Sequence, residues 1–87
     1  SALMHSTKIL AKEFGKLNIR VNGIAPGLTN TDMMNNNHST DIINEVKNNS
    51  YLNRIADTHD IANTCLFLAS KMSKHISGQI IRVDGGL

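Results

Sequence analysis

The stretch IRVNGIAPGLTNTDMM, from Ile19 to Met34, gathers the residue types best suited to hold a small ligand. Pro26, the only proline, fixes its own backbone angle and lacks an N–H, and Gly27 lets the main chain pass close to a flat ligand. The amides and carbonyls that follow would then pair outward. A carboxamide, with one acceptor and one donor group, matches such an edge, and the Thr31 hydroxyl can both donate and accept. A turn explains the same residues, because Pro-Gly favours one and Thr31 or Asp32 would cap a following helix. On the loop alone the turn is the simpler reading.

The other reactive side chains form no comparable set. His5, His38, His59 and His75 are dispersed, and none stands in a ligand spacing such as H-E-x-x-H, so no metal site is expected. The serines lack a G-x-S-x-G elbow. Cys65, the single cysteine, cannot form an internal disulfide and falls in an apolar helical pattern, where a small buried hydrophobe is the expected role. Asp57 and Asp60 beside Arg54 read as a helix start with a surface ion pair, not as acid–base machinery. Asn22 interrupts a strand-like run and calls for hydrogen-bond partners in neighbouring segments. Asp84, before two glycines, reads as a turn residue.

Composition narrows the classes. The 87 residues allow one small domain, which buries a lower fraction of its surface than a large one, and an apolar share of 40% with 3% aromatics makes any core aliphatic. The formal charge of +2 comes from scattered lysines and arginines without aromatic interleaving, so a nucleic-acid partner is not expected. No apolar run approaches a bilayer span, and the opening SALMHSTKILAKEF carries lysines and a glutamate, unlike a signal peptide. No membrane association is expected, and a reducing, cytoplasmic location fits.

The elements that must position the loop follow from periodicity. Leu3, Leu10 and Phe14, with Thr7 between them, share one face of a helix over Ala2–Phe14 that Gly15 should close as a left-handed cap. A strand over Ile19–Ile24 should stop before Pro26, which cannot continue a ladder. Met33–Asn53 is asparagine-rich with only Ile42, Ile43 and Val46 as an apolar face, which suggests one or two weakly held helices. Ile61, Cys65, Leu68 and Met72 form a broad stripe behind Asp57, Thr58 and Asp60, and a well-buried helix is expected there. Gln79–Val83 reads as a second strand ended by Asp84, Gly85 and Gly86. Strands so far apart, with helices between, pair most cheaply in parallel through a crossover, and two parallel strands suggest part of a larger sheet. Ligands of open parallel sheets bind beyond the carboxyl ends of the strands, where the APGLTNT loop begins.

Taken in order, ILAKEFGKLNIRVNGIAPGLTNTDM, RIADTHDIANTCLFLAS and SGQIIRVDGGL resemble the C-terminal portion of the short-chain dehydrogenase/reductase family, particularly 3-oxoacyl-[acyl-carrier-protein] reductases. The resemblance implies an α/β fold: the C-terminal part of a Rossmann-type NAD(P)-binding domain, contributing its last two parallel strands and the helices around them. It implies that Pro26, Gly27, Thr29 and Thr31 lie against the nicotinamide of NAD or NADP, Thr29 through its backbone and Thr31 through its hydroxyl. Residues 33–52, beginning at Met33 and Met34, would form a flexible substrate lid. The implied reaction is hydride transfer between NAD(P)(H) and a carbonyl or alcohol, with a 3-oxoacyl thioester, a sugar, a steroid or a small alcohol as substrate, in a homo-oligomer (dimer or tetramer).

The family's acid–base motif, Y-x-x-x-K, is absent: Tyr51 is the only tyrosine, and Ile55 stands four residues later. Its glycine-rich turn, T-G-x-x-x-G-x-G, is absent too. The expectation is therefore a fragment beginning just after the motif lysine, with no catalytic residue of its own and no turnover in isolation. A non-catalytic module that associates through an exposed strand edge is the alternative. Where the family commonly reads G-R-x-G-x-P-x-D-I-A, this chain reads NRIADTHDIA, with Asn53, Ala56 and Thr58 in place of Gly, Gly and Pro.

Overall fold

Two short strands pair in parallel, Gly23–Pro26 (β1) with Ile80–Val83 (β2), in the register Gly23 to Ile80 through Pro26 to Val83. The computed structural model describes residues 1–30 and 40–86. Helix α1 (Ala2–Gly15) precedes β1, and α2 (Thr40–Asn49), α3 (Thr58–Ala69) and a 3-10 turn (Lys71–Ser73) lie between the strands. Of the expected lid, residues 33–39 lie outside the described residues, while α2 forms within the remainder.

Successive residues of β1 face opposite sides of the sheet. A Cβ on Gly23 would lie 2.6 Å from Ile80 Cδ1 and 3.5 Å from Thr7 Oγ1 of α1, whereas Ile24 lines a cavity with Cys65 and Leu68 of α3. The two helices thus cover opposite faces.

The strand begins later than its β-branched run, and Pro26 belongs to it. Gly23 N–H donates to Gln79 O (2.8 Å) and Gly27 N–H to Val83 O (3.0 Å), so alternation turns Ile24 and Pro26 toward the outer edge of β1. Proline's missing N–H therefore costs the β1–β2 ladder nothing. Residues 19–22 run beside 76–79 without regular pairing, because the Asn22 carboxamide takes the place of the backbone: Nδ2 donates to Ile76 O (2.9 Å) and Oδ1 accepts from Gln79 N–H (3.1 Å). Asn22 ties the segments as its mid-strand position required.

Helix α1 is not closed by Gly15. Ile19 N–H reaches Phe14 O (3.1 Å) and Asn18 N–H reaches Gly15 O (3.0 Å), the paired bonds of a Schellman turn, with Asn18 at φ 61° in the left-handed position. Asparagine is the residue other than glycine that best tolerates this conformation.

Burial departs furthest from expectation. Among the described residues no apolar side chain is buried; the buried side chains are Thr7, Ser50 and Ser73. Leu3 (51% exposed), Leu10 and Phe14 leave the α1 stripe largely open, and α3 buries no residue, with Cys65 and Leu66 exposed. The periodicity located the helices correctly, but their apolar faces exceed what two strands can cover.

Polar bonds hold the ends together instead. Arg20 donates from Nη1 to Ser73 Oγ (3.0 Å) and Ile76 O (3.3 Å), and from Nη2 to Ser70 O (3.2 Å). The Ser73 hydroxyl, 1% exposed, faces the carbonyls of Phe67 (2.8 Å) and Leu68 (2.9 Å) at the end of α3. Arg20→Ala strips donors from all three acceptors, and is expected to lower stability by about 3 kcal/mol, read as a fall in the urea midpoint. Arg20→Lys, which cannot span the three acceptors with a rigid fork, should recover less than half of that loss.

Candidate functional site

Three segments meet beyond the carboxyl ends of the strands: residues 27–30 after β1, 50–56 between α2 and α3, and 84–86 after β2. Their meeting is mostly a matter of backbone. Ala56 N–H donates to Leu28 O (3.1 Å) and Asn30 N–H to Ala56 O (3.0 Å), an isolated parallel bridge centred on Thr29 and Ala56. Because both groups of Ala56 are spent on Leu28 and Asn30, alternation turns the N–H and C=O of Thr29 to the opposite side of the bridge. Thr29 and Gly27 are half-buried and Pro26 is exposed.

Gly27 is required by a close approach. A Cβ there would lie 3.0 Å from both Cα and Cβ of Asp84, atoms that cannot swing aside. Asp84 is held in turn: one carboxylate oxygen accepts from Gly86 N–H (2.9 Å) and the other pairs with Arg82 Nη2 (2.9 Å). Gly85 and Gly86, at φ 70° and 87°, make the turn. Their carbonyls accept from Leu52 N–H (3.0 Å) and Tyr51 N–H (3.2 Å), and the Tyr51 ring lies over Gly86, so the single tyrosine packs against a turn.

Asn53 takes φ 54°, which explains why asparagine serves where the family commonly has glycine. The segment then enters α3 through a capping box: the Asp57 carboxylate accepts from His59 N–H (3.2 Å), and the Asp60 carboxylate accepts from Asp57 N–H (2.8 Å) and Arg54 Nη1 (3.0 Å). Asp57 and Asp60 are cap and ion pair, as their spacing suggested. Backbone donation from His59 holds the Asp57 carboxyl below its ordinary value; the Asp57 N–H, then the Arg54 guanidinium, do so for Asp60.

Of the sequence-derived site residues, Pro26, Gly27 and Thr29 fall within one extended edge at the end of β1, while Thr31, Met33 and Met34 lie outside the described residues. A cavity of about 200 Å³, lined by Leu52, Arg54, Ala56, Asp60, Val83 and Gly85 among others, lies beside this edge without including it. Residue type does not single out Ala56 or Asp84 as part of the site. Ala56 contributes through its backbone pairing and Asp84 through the close passage of its main chain beneath Gly27, and neither leaves a mark in the sequence.

The arrangement is that of a parallel α/β sheet whose loops gather at the carboxyl ends of its strands. Comparison with known proteins defines it further. A family model described as enoyl-(acyl carrier protein) reductase matches residues 1–87. The 3-oxoacyl-[acyl-carrier-protein] reductase of Chlamydia muridarum is 46% identical over 81 residues, covering 93% of this chain and 32% of that protein. A 7 alpha-hydroxysteroid dehydrogenase solved with NADH and 7-oxo glycochenodeoxycholic acid superposes with a TM-score of 0.90 at 39% identity, over 98% of this chain and 33% of that one. The 3-oxoacyl-[acyl-carrier protein] reductase of Brucella melitensis gives 0.91 at 34% identity, over 99% and 32%.

The chain belongs to the short-chain dehydrogenase/reductase family and has the Rossmann-type fold of these neighbours. It spans about a third of the length of the curated relatives it matches.

Two outcomes are expected at this edge. Gly27→Ala forces β1 and Asp84 apart and should cost about 2 kcal/mol by urea denaturation. At the cap, folding favours ionised Asp57 and Asp60, so their support of α3 is present above the ordinary carboxylate range and is lost as pH falls through their lowered values. The His59 amide resonance should therefore titrate with a midpoint below the ordinary carboxylate value, and Asp57→Asn should abolish that titration while keeping the cap.

Proposed function

We propose that this chain forms the nicotinamide-side wall of an NAD(P)-dependent oxidoreductase that transfers a hydride between the cofactor and a carbonyl or alcohol substrate. The observation that carries this reading is the Thr29–Ala56 bridge. It fixes a short run of extended backbone that includes Thr29 at the carboxyl end of a parallel strand, the place where open parallel sheets bind their ligands.

In this reading Pro26 and Gly27 set the path of the wall, Thr29 binds the carboxamide through its main chain, and the Thr31 hydroxyl adds a further hydrogen bond. When bound, NAD(P)H supplies the hydride. The chain's own residues bind and orient the cofactor, residues 33–52 close over the substrate, and the proton is handled by residues outside this chain, since no Y-x-x-x-K is present in it. A 3-oxoacyl thioester is the proposed substrate, supported by the relatives named for it at 46% and 34% identity. A hydroxysteroid is the competing class, favoured by a structural neighbour at 39% identity.

The whole protein should oxidise NADH or NADPH in the presence of one of these carbonyl classes, and a panel of 3-oxoacyl thioesters and oxo-steroids read by nicotinamide absorbance decides between them. The isolated 87-residue chain should show no turnover. Thr31→Val should raise the cofactor KM about five- to tenfold, the loss of one hydrogen bond, and Thr31→Ser should restore it, while Thr29→Ala, which keeps the backbone, should leave the KM within about twofold. Equal KM values for wild type and Thr31→Val would remove Thr31 from the wall.

A further inference from the structure

Asn22 is followed by Gly23, a pair whose chemistry bears on how long the clamp around Asn22 lasts. A Cβ on Gly23 would lie 2.6 Å from Ile80 Cδ1, so a larger residue there would have to displace the end of the Ile80 side chain. A glycine amide is also the least hindered nucleophile that can follow an asparagine. Attack of the Gly23 nitrogen on Asn22 Cγ forms an N–C bond and expels Nδ2 as ammonia, and water then opens the succinimide to aspartate or isoaspartate.

In the folded chain the reacting groups of that step are engaged elsewhere. Gly23 N–H donates to Gln79 O (2.8 Å), Asn22 Nδ2 donates to Ile76 O (2.9 Å), and Asn22 Oδ1 accepts from Gln79 N–H (3.1 Å). We propose that Asn22–Gly23 is a deamidation site masked by these bonds, exposed only when β1 and the 76–79 segment separate, and that its conversion prevents the clamp from re-forming. The product carries a carboxylate oxygen where Nδ2 donated, and that oxygen would face the carbonyl of Ile76 with no proton between them. An isoaspartate would in addition lengthen the main chain by one carbon immediately before the β1 ladder. The masking bonds and the damage they prevent are therefore the same contacts, and conversion is self-reinforcing: each opened molecule that deamidates is less able to close.

The whole protein, incubated in mildly alkaline buffer with and without urea and followed by peptide mapping, tests this. In urea, Asn22 should convert faster than Asn49, which precedes the bulkier Ser50. Without urea, its conversion should be at least about tenfold slower than in urea, since only locally opened molecules react. In a brief protease challenge of aged native protein, the converted fraction should be cleaved first. Equal rates with and without urea would overturn the masking, conversion no faster than at Asn49 in urea would overturn the site, and equal protease resistance of converted and unconverted chains would overturn the loss of the clamp.

Discussion

The Arg20 guanidinium and the Asn22 carboxamide, two residues apart on the approach to β1, hold the end of α3, the 3-10 turn and the approach to β2 in one network. No apolar side chain is fully buried among the described residues, and directional bonds tie these segments together. The backbone carbonyls in the cluster lie where regular structure ends, so the network supplies the donors that helix termini and interrupted ladders leave wanting. Its geometry sets where β1 starts, and through β1 the position of the loop at the carboxyl end.

That loop is arranged almost entirely by main-chain atoms. Gly27 passes over Asp84, Leu28 and Asn30 clasp Ala56, and Leu52 and Tyr51 donate to the Gly85–Gly86 turn. Side-chain chemistry enters mainly to secure the turns, in the Asp57–Asp60 capping box and the Asp84–Arg82 pair. A surface built this way presents main-chain groups more than reactive side chains, which suits the proposed role of orienting a bound molecule.

Much of this was legible in the amino-acid sequence, and the failures have physical causes. The parallel pairing followed from two β-branched runs separated by helices, and the capping box from Asp57 and Asp60 beside Arg54. Propensity marks Ile19 and Val21 as strand, whereas a carboxamide at Asn22 replaces the ladder bonds there and β1 starts at Gly23. Glycine is the commoner left-handed residue and points to Gly15 as the close of α1, yet Asn18 holds that position. Burial was the least legible property: the stripe through Leu3, Leu10 and Phe14 records which side of a helix is apolar, and carries no information on whether this chain supplies the surface that covers it. The backbone roles of Ala56 and Asp84 left no residue-type signal at all.

The missing N–H of Pro26 has a consequence for the sheet as a whole. With Ile24 and Pro26 turned to the outer edge of β1, a strand arriving there would find a donor at Ile24 but only an acceptor at Pro26. Pairing can therefore run along the lower half of the strand and must falter at its top. Beside the loop that carries Thr29, a neighbouring strand would thus be held by one hydrogen bond fewer than at Ile24.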